Sequence, residues 1–116
     1  MREPRMRTFE DFWPFYLSQH RRHGTRVMHF LGTTLGLAFL LRAVSTGNPV
    51  FVLSGLAAAY GFAWASHYFI EKNRPATFTY PLWSFVGDFK MYGLMLQGKM
   101  TAEVERLGYG PAAIST

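Results

Sequence analysis

The stretch VFVLSGLAAAYGFAWA, residues 50–65, decides the fold class, because it belongs to a run from Ala43 to Ile70 that contains no Asp, Glu, Lys or Arg. About 20 apolar residues are enough for a helix to cross the hydrocarbon core of a bilayer. The stretch SHYFIEKNRPATF, residues 66–78, follows directly and places a histidine and several charged groups at the end of this apolar helix. The sequence therefore predicts a membrane helix that delivers polar side chains to one membrane surface.

Composition indicates one apolar domain over residues 1–116. Hydrophobic residues make up 49% of the chain and charged residues 16%, whereas soluble domains carry about 25% charged residues. Cysteine is absent, which excludes disulfides, zinc–thiolate sites and thiol nucleophiles and leaves histidines and carboxylates as candidate metal ligands. The first residues carry arginines without an apolar run behind them, so we expect no cleavable signal peptide.

Another apolar segment lies before this stretch in the sequence, and the two segments are expected to pair as a hairpin. Between Arg26 and Arg42 it has only fifteen residues without a charge, which is short for a span. A buried soluble hairpin therefore remains an alternative to a membrane hairpin. Small residues on both segments would allow close helix contact inside lipid, among them Gly32, Gly36, Gly55, Ala58 and Ala59.

Five helices are predicted from the turn signals and the apolar spacing. They run from Thr8 to about His20, from about Thr25 to Val44, from Pro49 to about Phe69, from Tyr80 to about Leu96 and from Thr101 to about Leu107. The predicted fold is all-α: a small membrane helical bundle with two central antiparallel apolar helices and a core over residues 8–97.

Each of the three outer helices has a predicted place in this bundle. The first is an amphipathic helix lying on the membrane, capped by Thr8 with Asp11 three residues on, and it either starts later or is kinked at Pro14. The fourth helix packs back on the hairpin. The fifth is a surface helix, and we expect no chemistry from it.

The net charge is +5, and the basic residues are concentrated on the flanks of the two apolar segments. Of the twelve Lys and Arg residues, only Arg42 lies between the segments. Basic residues accumulate in the cytoplasmic loops of membrane proteins. This distribution predicts an integral membrane protein with its termini in the cytoplasm, in a bacterial inner membrane or in the endoplasmic reticulum. It argues against nucleic acid as a partner.

Three of the four histidines are expected to meet at the basic end of the hairpin. His29 and His67 lie 18 and 20 residues from the turn near residue 47, so antiparallel helices would carry both to the same depth. His20 lies just before the second helix, and Asp88 is expected to reach this end from the fourth. Any one of these histidines alone is best explained as a hydrogen-bonded interfacial residue, but three at one depth predict a metal site.

Other polar residues near this end leave alternatives open. Glu71 is four residues after His67 on a predicted helix, so it is a metal ligand, an acceptor that fixes the imidazole tautomer, or a salt-bridge partner of Lys72 or Arg74. His23 is expected to be a solvated turn residue. A haem between His29 and His67 is possible on depth alone.

Several enzyme classes are excluded by the sequence. Four histidines are too few for the histidine boxes of membrane di-iron hydroxylases and desaturases. The chain has no Gly-rich phosphate loop, no GxSxG elbow and no HExxH motif, so nucleotide binding, triad hydrolysis and zincin chemistry have no support.

Three stretches carry a resemblance to a known family: FWPFYLSQH at residues 12–20, RVMHFLGT at 26–33 and AWASHYFIEKNRPATFTYPLWSFVGDFKMY at 63–92. Together they resemble the small membrane family of 2-hydroxy fatty acid dioxygenases over about residues 9–96. The resemblance implies an Fe(II)-dependent enzyme that uses dioxygen to remove one carbon from a 2-hydroxy fatty acid, a step of alpha-oxidation in lipid metabolism. The family's functional positions fall here on three metal-binding histidines and two catalytic acidic residues: His20, His29, His67, Glu71 and Asp88.

The substrate of such an enzyme would be a membrane-dissolved acid whose carboxylate lies at the surface. The chain has four polar residues for that head group: Arg26, Lys72, Asn73 and Arg74. Positive residues at a cytoplasmic helix end are also expected without any substrate. The alternative function is a non-enzymatic integral membrane module that binds lipid, haem or a partner subunit.

Overall fold

A computed structural model describes residues 6–109, and all regular structure in that range is helical. The five α-helices are α1 (Phe9–Ser18), α2 (His23–Thr46), α3 (Val50–Ser66), α4 (Pro81–Leu96) and α5 (Met100–Arg106). A π-helical turn, His67–Glu71, continues α3, and a 3₁₀ turn, Ala76–Phe78, leads into α4. The predicted all-α fold class is confirmed.

A tight turn joins α2 to α3 and makes them an antiparallel pair. Gly47 follows α2 with a positive φ of 70°, a backbone conformation that glycine adopts without strain. Its N–H donates to the carbonyl of Ala43 at 2.8 Å. On the other side of the turn, the side-chain oxygen of Asn48 accepts from the N–H of Val50 at 3.0 Å, so the polar groups of the turn are used to end one helix and start the next.

The two hairpin helices approach each other at the level of the backbone. A Cβ atom placed on Gly55 would lie 2.9 Å from the carbonyl oxygen of Gly36, and one placed on Gly32 would lie 2.9 Å from Cβ of Phe62. These distances leave no room for a side chain. Glycines therefore set the helix separation, as the small residues in the sequence predict.

The outward surface of the hairpin is apolar. Two segments are long and apolar enough to cross a membrane, His23–Thr46 and Val50–Glu71, yet only 11% and 22% of their most apolar windows are buried. Leu41, Val44 and Leu53 are instead 70%, 76% and 67% exposed. A buried soluble hairpin would cover such side chains, so this surface favours the membrane hairpin.

Helix α1 forms where the sequence predicts it. The Thr8 hydroxyl accepts from the N–H of Asp11 at 3.1 Å, and the helix begins at Phe9 with Pro14 inside it. The later start considered for Pro14 is therefore wrong.

The apolar face of α1 does not serve as a membrane-facing surface. Its four buried residues form the main core together with side chains from α4, α5 and the 3₁₀ turn. The buried core residues are Phe12, Trp13, Tyr16, Leu17, Ala76, Met91, Met100 and Val104. The expectation of an amphipathic helix resting on lipid is corrected, because protein already covers that face.

Helix α4 packs back on the hairpin as predicted. The rings of Phe30 and Tyr92 stack with 4.8 Å between their centroids, and the Tyr92 hydroxyl lies 3.0 Å from the hydroxyl of Thr34. These contacts join α4 to the first half of α2, and so place α4 beside the histidine end of the hairpin.

Helix α5 contributes more than the surface helix that the sequence predicts. Its Met100 and Val104 are buried in the core. Its Glu103 accepts a hydrogen bond of 2.7 Å from Nε1 of Trp13 and another of 2.7 Å from Arg106. Helix α5 therefore stabilises the position of α1.

Replacing Gly55 by alanine is expected to separate the hairpin helices. The new methyl group would meet the Gly36 carbonyl at 2.9 Å, and overpacking of this kind costs about 1–3 kcal/mol of unfolding free energy. Gly61→Ala is the matched control on the same helix, because its Cβ meets nothing within 4 Å and alanine has the higher helix propensity. Thermal unfolding in detergent should show Gly55→Ala less stable than wild type and Gly61→Ala not. Equal stability of the two variants would contradict the close crossing.

Removing the charge of Glu103 is expected to flatten the acid limb of the stability curve. The hydrogen bonds from Arg106 and Trp13 lower the pKa of Glu103 to about 2, so its stabilising effect is complete above the ordinary pKa of 4.5 and is lost as pH falls from there towards 2. Glu103→Gln should therefore be less stable than wild type at neutral pH, with a difference that shrinks on acidification. Glu105→Gln, at an exposed position of the same helix, serves as the control. A constant difference between Glu103→Gln and wild type from pH 7 to about pH 2 would contradict this interpretation.

Candidate metal centre

Three buried histidines meet at the end of the hairpin opposite the α2–α3 turn. His20 follows α1, His29 lies in the second turn of α2, and His67 opens the π-helical turn. Their ring centroids are 4.5 Å (His20–His29), 4.5 Å (His20–His67) and 5.0 Å (His29–His67) apart. One nitrogen from each ring lies within 4.8 Å of the other two. The predicted convergence of these three side chains is confirmed.

Each imidazole is held on its Nδ1 atom by an oxygen acceptor. Nδ1 of His20 lies 2.7 Å from the carbonyl of Tyr16, and Nδ1 of His29 lies 2.9 Å from the carbonyl of Thr25. Nδ1 of His67 lies 2.7 Å from the side-chain oxygen of Asn73. Because these oxygens only accept, all three Nδ1 atoms carry the proton, and each Nε2 presents a lone pair.

Ser66 strengthens this arrangement at His29. Its hydroxyl donates to the carbonyl of Ala63 at 2.6 Å, so its oxygen is free to accept from Nδ1 of His29 at 3.2 Å. Ser66, which adjoins His67, was not predicted from the sequence. Nor were Tyr16 and Thr25, whose carbonyls lie against Nδ1 of His20 and Nδ1 of His29. The usable signal was their spacing, because each lies four residues before the histidine it holds.

The inner nitrogens face one another without a proton to share. Nε2 of His20 and Nε2 of His29 are 3.1 Å apart, and two lone pairs at that distance repel unless a cation lies between them. Two nitrogens that share one divalent metal at bonds of about 2.1 Å lie at most about 4.2 Å apart, so the spacing of 3.1 Å is compatible with a shared ion. The residues present therefore fit a metal ion, held by Nε2 of three neutral imidazoles.

The protonation of His20 agrees with this role. Burial lowers the pKa of His20 well below its ordinary value, and the neighbouring rings of His29 and His67 lower it further. The ring is therefore neutral at physiological pH, and a neutral imidazole is the form that binds metal.

The π-helical turn explains why Asn73, and not Glu71, holds His67. In this turn the last part of α3 is widened, Lys72 has a positive φ of 62°, and the N–H of Asn73 donates to the carbonyl of His67 at 2.9 Å. The chain thereby folds back, and the Asn73 side chain meets the imidazole. Single π-turns of this kind are frequent at functional sites.

Glu71 lies outside the group of histidine ligand atoms and fastens the loop after α1. Its carboxylate accepts from the backbone N–H of Arg22 at 2.5 Å. The acceptor role considered for Glu71 falls to Asn73, because the π-turn breaks the i, i+4 spacing on which that role was based.

Two residues predicted to bind substrate also form hydrogen bonds with this loop. Nη1 of Arg26 donates to the carbonyls of His20 at 2.7 Å and Arg21 at 2.6 Å. The side-chain amide of Asn73 donates to the carbonyl of Gln19 at 3.2 Å. Both side chains are thus engaged within the protein, and we assign them a positioning role for the loop that carries His20.

Lys72 and Arg74 are exposed at the same end of the molecule. The guanidinium of Arg74 lies over the ring of Phe78, 5.2 Å from its centroid. Their contact with a substrate carboxylate stays a prediction. His23 is exposed, in agreement with a solvated position.

Asp88 lines a small chamber together with the three histidines. The Tyr16 hydroxyl donates to Oδ1 of Asp88 at 2.5 Å, and the Tyr16 ring stacks on His20 with 4.0 Å between centroids. A Cβ atom at Gly87 would lie 2.9 Å from that ring, so glycine allows α4 to bring Asp88 this close. Asp88 therefore contacts the tyrosine that stacks on His20, and burial raises the pKa of Asp88 to about 7.

Comparison with known proteins identifies the family. A family model described as 2-hydroxy-palmitic acid dioxygenase Mpo1-like matches residues 6–100. The match covers most of the chain and includes all three histidines, and the chain belongs to the Mpo1-like family. The resemblance seen in the sequence is thereby confirmed. No curated protein and no solved structure matches the chain.

Replacing Asn73 by alanine is expected to weaken metal binding. His67 would lose the acceptor that fixes its tautomer and orientation, and loss of such an outer partner typically lowers metal affinity by about 10–100-fold. Asn73→Asp keeps an acceptor for Nδ1 and should restore most of the affinity. Asn48→Ala, at the opposite end of the hairpin, is the control. Titration of the apoprotein with Fe(II) or Co(II) measures these affinities, and an unchanged affinity in Asn73→Ala would contradict the role given to Asn73.

Proposed function

We propose that this protein is an Fe(II)-dependent dioxygenase that shortens a 2-hydroxy fatty acid by one carbon at a membrane interface. The observation that carries the proposal is the group of three buried imidazoles whose ligand nitrogens lie within 4.8 Å of one another, with Nε2 of His20 and Nε2 of His29 only 3.1 Å apart. Membership of a family described by 2-hydroxy-palmitic acid dioxygenation supports the substrate class.

The metal would be held by Nε2 of His20, His29 and His67. Imidazole nitrogen suits iron, and also zinc, copper and nickel, among divalent metals. When bound, Fe(II) would supply the site at which dioxygen is taken up and activated. Three protein ligands leave coordination positions free for small molecules.

The surrounding residues would orient the acid. Asp88 lines the chamber beside the histidines, and its carboxylate can accept a hydrogen bond from the substrate's 2-hydroxyl group while Tyr16 holds its other side. Lys72 and Arg74 are exposed cations at the same end, and they would attract the anionic acid to this end of the hairpin.

The same arrangement supports a reaction at a membrane surface. We propose that α2 and the extended α3 span the bilayer and that the histidine end lies on the cytoplasmic side, where basic residues accumulate. A fatty acid already dissolved in that leaflet would then have its carboxylate level with the histidines and its tail level with the apolar hairpin.

The non-enzymatic alternatives differ in how they agree with the geometry. A haem between His29 and His67 does not fit. Their ring centroids are only 5.0 Å apart, and the ring of His20, whose centroid is 4.5 Å from each of theirs, occupies the space that a porphyrin would need. A module that binds lipid without chemistry would use the same apolar hairpin, and it is distinguished by retaining its function when the histidines are removed.

Replacing His67 by alanine should abolish metal binding and turnover together. Wild-type protein purified without oxygen and supplied with Fe(II) should retain iron and convert a 2-hydroxy fatty acid to the acid one carbon shorter. His23→Ala is the matched control, since His23 is exposed and lies outside the cluster. Metal analysis and mass spectrometry of the products measure both properties. Equal, negligible iron in wild type and His67→Ala would refute the proposal.

A further inference from the structure

An apolar groove runs along the hairpin away from the histidines. It has a volume of about 160 Å³ and lies between α2, α3 and α4. One wall extends on α2 from His29 to Leu40, and the other extends on α3 from Ala63 to Val52. Each wall covers eleven residue steps, which is about 16 Å at the helical rise of about 1.5 Å per residue.

The two ends of the groove differ in chemistry. At the near end, His29 and Asp88 line both the groove and the histidine chamber, so the two spaces adjoin. At the far end the lining is aliphatic, with Leu37, Leu40 and Val52. A polar head at one end and a long apolar tail at the other are the properties of a ligand that matches this groove.

We propose that the groove holds the hydrocarbon tail of the 2-hydroxy fatty acid, and that Leu56 and Val52 mark successive depths that limit the tail length accepted. The inference rests on the proposed function, because the head group at the histidines fixes where the tail begins. Measured along α3 from Ala63, Leu56 lies about 10 Å and Val52 about 16 Å into the groove.

The groove is suited to receive the tail from the side. Leu40, Val52 and Leu56 line it and are 47%, 39% and 46% exposed, so this part of the groove is open to the surrounding lipid. Lipid tails are as apolar as these side chains, so moving a tail from lipid into the groove gains little from apolar burial. Selection therefore depends on steric fit, and a larger side chain in the groove should exclude the longer tails.

Tryptophan substitutions at the two depths test the limit on tail length. The activity ratio between long and short 2-hydroxy acids, measured in competition, should fall about tenfold or more in Val52→Trp. In Leu56→Trp the loss should extend to shorter acids, because the obstruction lies nearer the head group. Leu53→Trp is the matched control, since Leu53 is on the same helix, 67% exposed and outside the groove, and it should keep the wild-type profile.

The outcomes separate the groove from the proposed function. Turnover that persists in Val52→Trp and Leu56→Trp with a wild-type length profile overturns the groove inference and leaves the dioxygenase standing. Turnover absent in wild type with every acid overturns the proposed function.

In that second case a photolabel decides the groove independently of turnover. A 2-hydroxy fatty acid with a diazirine at its tail end is irradiated with the protein in lipid nanodiscs, and the labelled residues are mapped by mass spectrometry. Labelling at Leu40 and Val52 that an unlabelled 2-hydroxy acid competes away supports the groove. Labelling distributed equally over outward residues such as Leu41 and Leu53, without competition, overturns it.

Discussion

The candidate centre depends on three imidazoles that are each hydrogen-bonded on the outer nitrogen and left bare on the inner one. Two acceptors are backbone carbonyls one turn earlier in the chain, and the third is a side chain beyond the end of α3. This difference explains the irregular features around the site. The π-turn brings Asn73 back over His67. Arg26 and Glu71 contact the loop that follows α1, and these contacts keep His20 in register with the hairpin.

The metal centre also requires the hairpin to bring His29 and His67, which are 38 residues apart in the sequence, to the same level along its axis. The turn at Gly47 and the crossing of Gly36 with Gly55 set the longitudinal alignment of α2 and α3. A slip of one helical turn would displace one ring by about 5.4 Å, which is more than the spacing of the cluster. The fit of small residues in the apolar half of the molecule therefore determines the chemistry possible at its polar end.

Sequence reasoning was sufficient for the helices and for the meeting of the histidines, because hydrophobic periodicity and distance from a turn translate directly into position. It was not sufficient for Glu71 and Asn73, since a single wide turn in α3 leaves no mark on the apolar pattern. It also misjudged α1, because an apolar helix face has the same composition whether lipid or protein covers it. The partners of Arg26 and Asn73 could not be predicted either. A polar side chain indicates that a hydrogen-bond partner exists, but the sequence does not distinguish a bound ligand from the protein's own groups.

The π-turn has a consequence for the order of biogenesis. His20 and His29 emerge early during synthesis, but their third companion and its asparagine clamp come after the second apolar helix. A metal site that uses all three histidines would therefore be complete only once both helices are paired, so the metal would bind at the end of maturation. Once loaded, a cation would tie the α1 loop to both arms of the hairpin, and it would act as a cross-link in a chain that has no cysteine to form one.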